Sequence, residues 1–126
     1  MKHRYTCCAL LACLLVPAAA HADPDRQFRV ALGAYITAAA LDGSITSYCV
    51  GRGECREANP LLAPVVERHG VVAAMTLKGA FHGGILGILL SMHKERPKVA
   101  LWTTIGLLAA QVAVDAHNVK TLRRTR

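Results

Sequence analysis

Three apolar stretches set the pattern of this chain, at about 30–50, 71–92 and 99–118. Each is long enough to cross the hydrocarbon core of a bilayer, which needs roughly 20 apolar residues. Between the first two lies a polar break at 51–55 with two glycines and charge, followed by Glu57-Ala58-Asn59-Pro60-Leu61. Asn59 suits a helix N-cap and Pro60 the first helical position, where its missing N–H costs nothing. A short helix over 60–69 is therefore predicted, with Pro64 as a kink and Gly70 as its stop. Its apolar Leu61, Leu62, Val65 and Val66 against polar Glu67, Arg68 and His69 suit a helix lying in the membrane interface. The basic connection 93–98 holds Pro97, which separates the last two helices, and Trp102 falls at the depth of an interfacial anchor. The fold class this predicts is all-α: a polytopic helical membrane protein with three mature transmembrane helices and one short interfacial helix.

Polar side chains inside the apolar stretches change the picture from architecture to chemistry. Asp42, Lys78, Gln111 and Asp115 all sit within them. A charge at such a position costs on the order of 2.5–3.5 kcal/mol on insertion scales, so it needs a partner or a task. At 1.5 Å of rise per residue, Asp42, Lys78 and Gln111 lie within about 5 Å of mid-span and Asp115 about 10 Å away, all displaced toward the 51–70 connection. Helical phase groups them as Asp42 with Thr46 and Cys49, Lys78 with His82, and Gln111 with Asp115 and Asn118. The stripes are expected to converge on a funnel opening toward Glu57 and Asn59, with Asp42 and Lys78 as an intramembrane pair. The candidate cluster is Asp42, Thr46, Glu57, Asn59, Lys78, Gln111 and Asp115. His82 is read as a packed or hydrogen-bonded histidine, and His69 and His93 as solvated ones. Gly79, Gly83 and Gly87, four residues apart, form one small-residue face suited to close helix packing.

At 126 residues the chain has room for one domain, and 53% hydrophobic content suits lipid better than water. The formal charge of +7 is distributed at segment ends rather than in a patch, through Arg52 and Arg68, Lys94, Arg96 and Lys98, and Lys120, Arg123, Arg124 and Arg126. With no aromatic residues interleaved among them, these point to topology and lipid headgroups, and nucleic acid is not an expected partner. Residues 1–22 read as a cleaved signal peptide, with basic Lys2 and Arg4, a short apolar core, and Ala20-His21-Ala22 as the cleavage site; an uncleaved fourth helix is the competing reading. A cleaved leader would place the 51–70 loop and the basic tail in the cytoplasm, whereas the basic 93–98 connection would then face outward, against the positive-inside rule. The mature chain keeps Cys49 and Cys55, read as ordinary thiols, with a small disulfide ring in an oxidising compartment as the alternative. No cysteine pair has metal-ligand spacing, and no cofactor or metal is expected.

Neither His-Glu-x-x-His, nor Gly-x-Ser-x-Gly, nor a phosphate-cradling loop occurs, which leaves little basis for an enzyme. Asp42-x3-Thr46, then Glu57-x-Asn59-Pro60-Leu61, then Lys78 in the next apolar stretch resemble domain of unknown function 5658, over about residue 31 to the C-terminus. The resemblance implies a small bacterial helical membrane protein and marks Asp42, Thr46, Glu57, Asn59, Pro60 and Lys78 as site positions; it supplies no reaction. The location expected is the bacterial inner membrane, multi-pass, with the lipid bilayer as surroundings. The role expected first is an assembly or accessory subunit, as a homo-oligomer or within a larger membrane complex. The alternative is a small transporter or intramembrane enzyme using Asp42, Lys78, Asp115 and Glu57.

Overall fold

The computed structural model describes residues 23–53, 57, 59 and 61–124, with 119–124 as backbone only. The expected signal peptide, Cys55, Pro60 and the side chains of the basic tail lie outside the described residues. Three helices follow one another: α1 (Pro24–Gly51), α2 (Ala63–Glu95) and α3 (Pro97–Arg124). Among the described residues there is no strand, so the all-α expectation holds.

Each helix boundary has a local cause. α1 begins before its apolar stretch because Pro24 occupies the first turn and Asp25 places negative charge at the positive end of the helix. α2 does not begin at Pro60 as the Asn59 cap suggested. It starts at Ala63, with Pro64 in its first turn. A helix begun at Pro60 would hold Pro64 in its interior, where the ring meets the preceding turn and no N–H is available; a later start removes that conflict. The expected separate interfacial helix is therefore the first segment of α2, and Gly70 is a kink within it rather than a stop. Gly70 alone in α2 leaves helical geometry, at φ 80° and ψ 171°, a conformation open to a residue without Cβ. Only Arg96 separates α2 from α3, because a residue before proline avoids the helical region while Pro97 suits the start of the next helix.

The helices run up, down and up, and α1 packs most extensively on α3. The apolar core lies at the α2–α3 corner, where Phe28, Ala31 and Leu32 of α1 meet Leu89 of α2 and Ala100 and Leu101 of α3. His93, expected to be solvated, fastens this end. Its ring stacks on Phe28 with centroids 3.9 Å apart and planes 5° from parallel, and its Nε2 lies 3.2 Å from Asp25 Oδ1.

The three-span expectation is corrected to two. α2 and the 97–118 part of α3 are long and apolar enough to cross a membrane; α1 is not. Alanine, glycine, serine and threonine fill many of its positions, and Asp42 is buried within it. The two apolar helices turn little of that surface inward: 6% and 11% of their most apolar windows are buried. Val72, Phe81, Ile88, Trp102 and Val112 all stand exposed.

Candidate functional site

At the end of the bundle opposite the apolar core, polar side chains replace hydrocarbon. Asp42 is 4% exposed, and both of its carboxylate oxygens are engaged by other helices. Lys78 of α2 donates from Nζ to Oδ2 in an ion pair, and Asn118 of α3 donates from Nδ2 to Oδ1 at 2.9 Å. One carboxylate thus ties three helices at a single point. Removing one member of such a buried pair is far more damaging than never having had it, because the other charge is stranded.

Deeper toward the core, Tyr35, two turns before Asp42, and His82, one turn after Lys78, join α1 to α2 through a 2.8 Å bond between the phenol oxygen and Nδ1. On α3, Gln111 donates from Nε2 to Asp115 Oδ1 at 2.7 Å. This pair lies within one helix at i, i+4 and so adds no cross-link.

Between α1 and α2, the described residues Glu57, Asn59 and Leu61 make a turn at this polar end. Glu57 Oε1 accepts a 2.8 Å bond from the Asn59 N–H, and Asn59 Oδ1 accepts one of 2.9 Å from the Leu61 N–H. The Asn59 carbonyl then receives the N–H groups of Leu62 and Ala63. Asn59 therefore organises the turn just before α2, as such side chains do, rather than capping a helix that starts at Pro60. This turn holds Glu57 inward, 8% exposed, with Oε2 buried and, among the described residues, without a hydrogen-bond partner.

Glu57 lines a cavity of about 820 Å³ together with Asn59, Asp42, Lys78, His82, Gln111, His117 and Asn118. Leu61, Leu62, Leu77, Phe81, Ala113 and Val114 complete its wall. Mostly apolar walls with a few convergent polar groups, at this volume, are the usual form of a small-molecule site.

Of the sequence-predicted residues, Asp42, Lys78, Glu57, Asn59 and Gln111 line one cavity. Asp115 stands behind Gln111 rather than on the wall, and Thr46, one turn beyond Asp42, is half-buried and not on that wall either. Asn118 was visible only as part of the Gln111 stripe, yet it is the third helix's hold on Asp42. Tyr35 was missed; its position seven residues before Asp42, two turns back on one face, is the signal that points to it. Among the described residues nothing lies within 4 Å of where a Cβ would stand on Gly79, Gly83 or Gly87, so neither α1 nor α3 packs closely on that face. Gly79 and Gly83 instead line a second cavity, of about 530 Å³, with Ala39, Ala40 and Gly43 of α1. Cys49 is disulfide-bonded, which corrects the reading of two ordinary thiols; every other cysteine lies outside the described residues. No group of three or more His, Cys, Asp or Glu side chains converges as a metal site among the described residues.

The family model for a domain of unknown function (DUF5658) matches residues 33–123, and the chain belongs to that family. No curated protein and no solved structure matches it. The matched range takes in the whole polar end: Asp42, the Glu57–Leu61 element, Lys78, Gln111 and Asn118.

Proposed function

We propose that this chain is a small multi-pass membrane protein that binds a small molecule in the cavity lined by Asp42, Glu57 and Lys78. What carries the reading is Glu57. A carboxylate held inward by its own turn at the wall of a cavity, with one oxygen satisfied and the other buried and, among the described residues, without a partner, is a poor structural device and a good ligand group. Asp42 and Lys78 form the floor and hold the helices apart at the spacing the cavity needs. Their mutual engagement leaves Asp42 unsuited to act as a base, so binding or passage of a ligand fits better than catalysis. The outward apolar faces of α2 and α3 support lipid as the surrounding medium. The disulfide at Cys49 supports placing the 52–62 end in an oxidising compartment, with Lys94, Arg96 and Lys98 on the cytoplasmic side.

The test is native mass spectrometry of protein extracted from its own membranes in mild detergent. A small molecule retained by the wild type and lost from Leu77→Trp, which fills the cavity, is the expected result. Identical spectra for the two proteins would contradict it.

A second reading, an assembly or accessory subunit, is favoured by one observation: the glycine face of α2 is open along Gly79, Gly83 and Gly87. In lipid such a face is where another helix packs closely.

A further inference from the structure

We infer that the cavity lined by Asp42, Glu57 and Lys78 takes a primary ammonium group carried on an apolar body, seated on the Glu57 carboxylate. This rests on the ligand-binding reading above and gives its ligand a chemical class.

The argument is one of charge and donors. Around the cavity wall the Asp42 carboxylate and the Lys78 ammonium cancel, and Asn118 covers the second Asp42 oxygen. Glu57 is the remaining carboxylate among the described residues of the wall, beside His82 and His117, and its Oε2 has no hydrogen-bond partner there. Burial of an unpaired carboxylate is strongly unfavourable, and a cation with donors removes the penalty. Lys78 is already committed to Asp42. The Asn59 N–H supplies one donor, to Oε1, and the described residues supply none to Oε2.

Competing ligand classes fit less well. An anion would meet Glu57 directly. A neutral molecule would leave the charge where it is. A bare metal ion needs several oxygen or nitrogen ligands, and no such group converges here among the described residues. A primary ammonium brings three N–H donors and one positive charge, matching one free carboxylate oxygen and its charge. The remainder of the wall, Leu77, Phe81 and Val114, suits an apolar body. The turn bonds through Asn59 fix Glu57 before any ligand arrives, so little ordering is left for binding to cover.

Hexylamine, hexanol and hexanoate share one tail and differ in head. Each is titrated calorimetrically at neutral pH into the full chain in phosphatidylcholine nanodiscs, with empty nanodiscs as the blank. Hexylamine is expected to bind at least about tenfold more tightly than hexanol, the worth of one charge-assisted bond. Hexanoate is expected to bind least. Glu57→Gln is expected to abolish the preference for the amine while retaining hexanol binding. Should that variant not fold, the comparison of heads on the wild type stands alone. Hexanol or hexanoate binding as tightly as the amine overturns the ammonium inference and leaves the cavity as a binding site. Binding of none of the three overturns both. Nanodiscs containing phosphatidylethanolamine separate the sources: weakened hexylamine binding assigns an aminolipid headgroup, and unchanged binding assigns a free amine, each consistent with the inference.

Discussion

Asp42 and Lys78, 36 residues apart in sequence, form the ion pair that joins α1 to α2, and the same carboxylate reaches α3 through Asn118. Because α1 and α2 otherwise touch little, this junction fixes their separation at the polar end. Their spacing there sets the shape of the cavity above it.

The two bonds to Asp42 differ in kind, and so do the expected losses. Asp42→Ala strands a largely buried ammonium and should destabilise by about 3–5 kcal/mol. Asn118→Ala removes one donor from a carboxylate that keeps its ion pair, and should cost about 1–3 kcal/mol. Reversible unfolding in mixed micelles measures both. A larger loss for Asn118→Ala than for Asp42→Ala would mean that Asp42 is not the centre of the junction.

Tyr35→Phe tests the second link between α1 and α2. It deletes only the phenol oxygen at 2.8 Å from His82 Nδ1 and leaves the ring in place. The expected loss is about 1 kcal/mol, together with a change in the His82 Nδ1 resonance in nitrogen NMR spectra. An unmoved resonance would show that the bond does not persist in lipid.

The open glycine face gives a prediction with opposite signs for fold and assembly. A Cβ at Gly83 meets nothing within 4 Å among the described residues, and replacing a mid-helix glycine removes a helix-propensity penalty of about 1 kcal/mol. Gly83→Leu should therefore leave the single chain intact, while any oligomer seen for the wild type in mild detergent falls to monomer mass. A wild type already monomeric under those conditions would remove the support for the assembly reading.

Cys49 should resist maleimide labelling in intact cells until a reductant is added, as a disulfide requires. Reaction without reductant would show a free thiol and withdraw the argument that the 52–62 end faces an oxidising compartment.

Much of this arrangement was legible before any coordinates. Helical rise and phase bring Asp42 and Lys78 to one level, but the α3 residue that meets Asp42 is Asn118, two turns beyond the Gln111 expected there. The meeting of Lys78 with Asp42 needed only the further rule that a charge in hydrocarbon seeks its opposite. Helix starts were less legible. Asn59 and Pro60 carry a strong local signal for a helix start, but Pro64 four residues on makes that start sterically poor, and the later proline decided it. Gly70 reads as a stop from sequence, whereas the helix continues past it after a single non-helical residue. His93 looked solvated because its neighbours are charged; its contacts, Phe28 and Asp25, come from the far end of another helix. The inward aim of Glu57 is set by two turn hydrogen bonds, and composition carries no trace of it.

A charge-swap cycle tests the central claim most directly, namely that a buried Asp42–Lys78 junction holds the three helices around the cavity. Asp42→Lys and Lys78→Asp are compared singly and together by unfolding free energy in the same lipid. Each single change places like charges side by side and should destabilise by several kcal/mol. The double change restores opposite charges, and Asn118 can turn its amide to offer its oxygen instead of its N–H. The account predicts that the combined variant is clearly more stable than either single one. A combined variant no more stable than the worse single variant would contradict it.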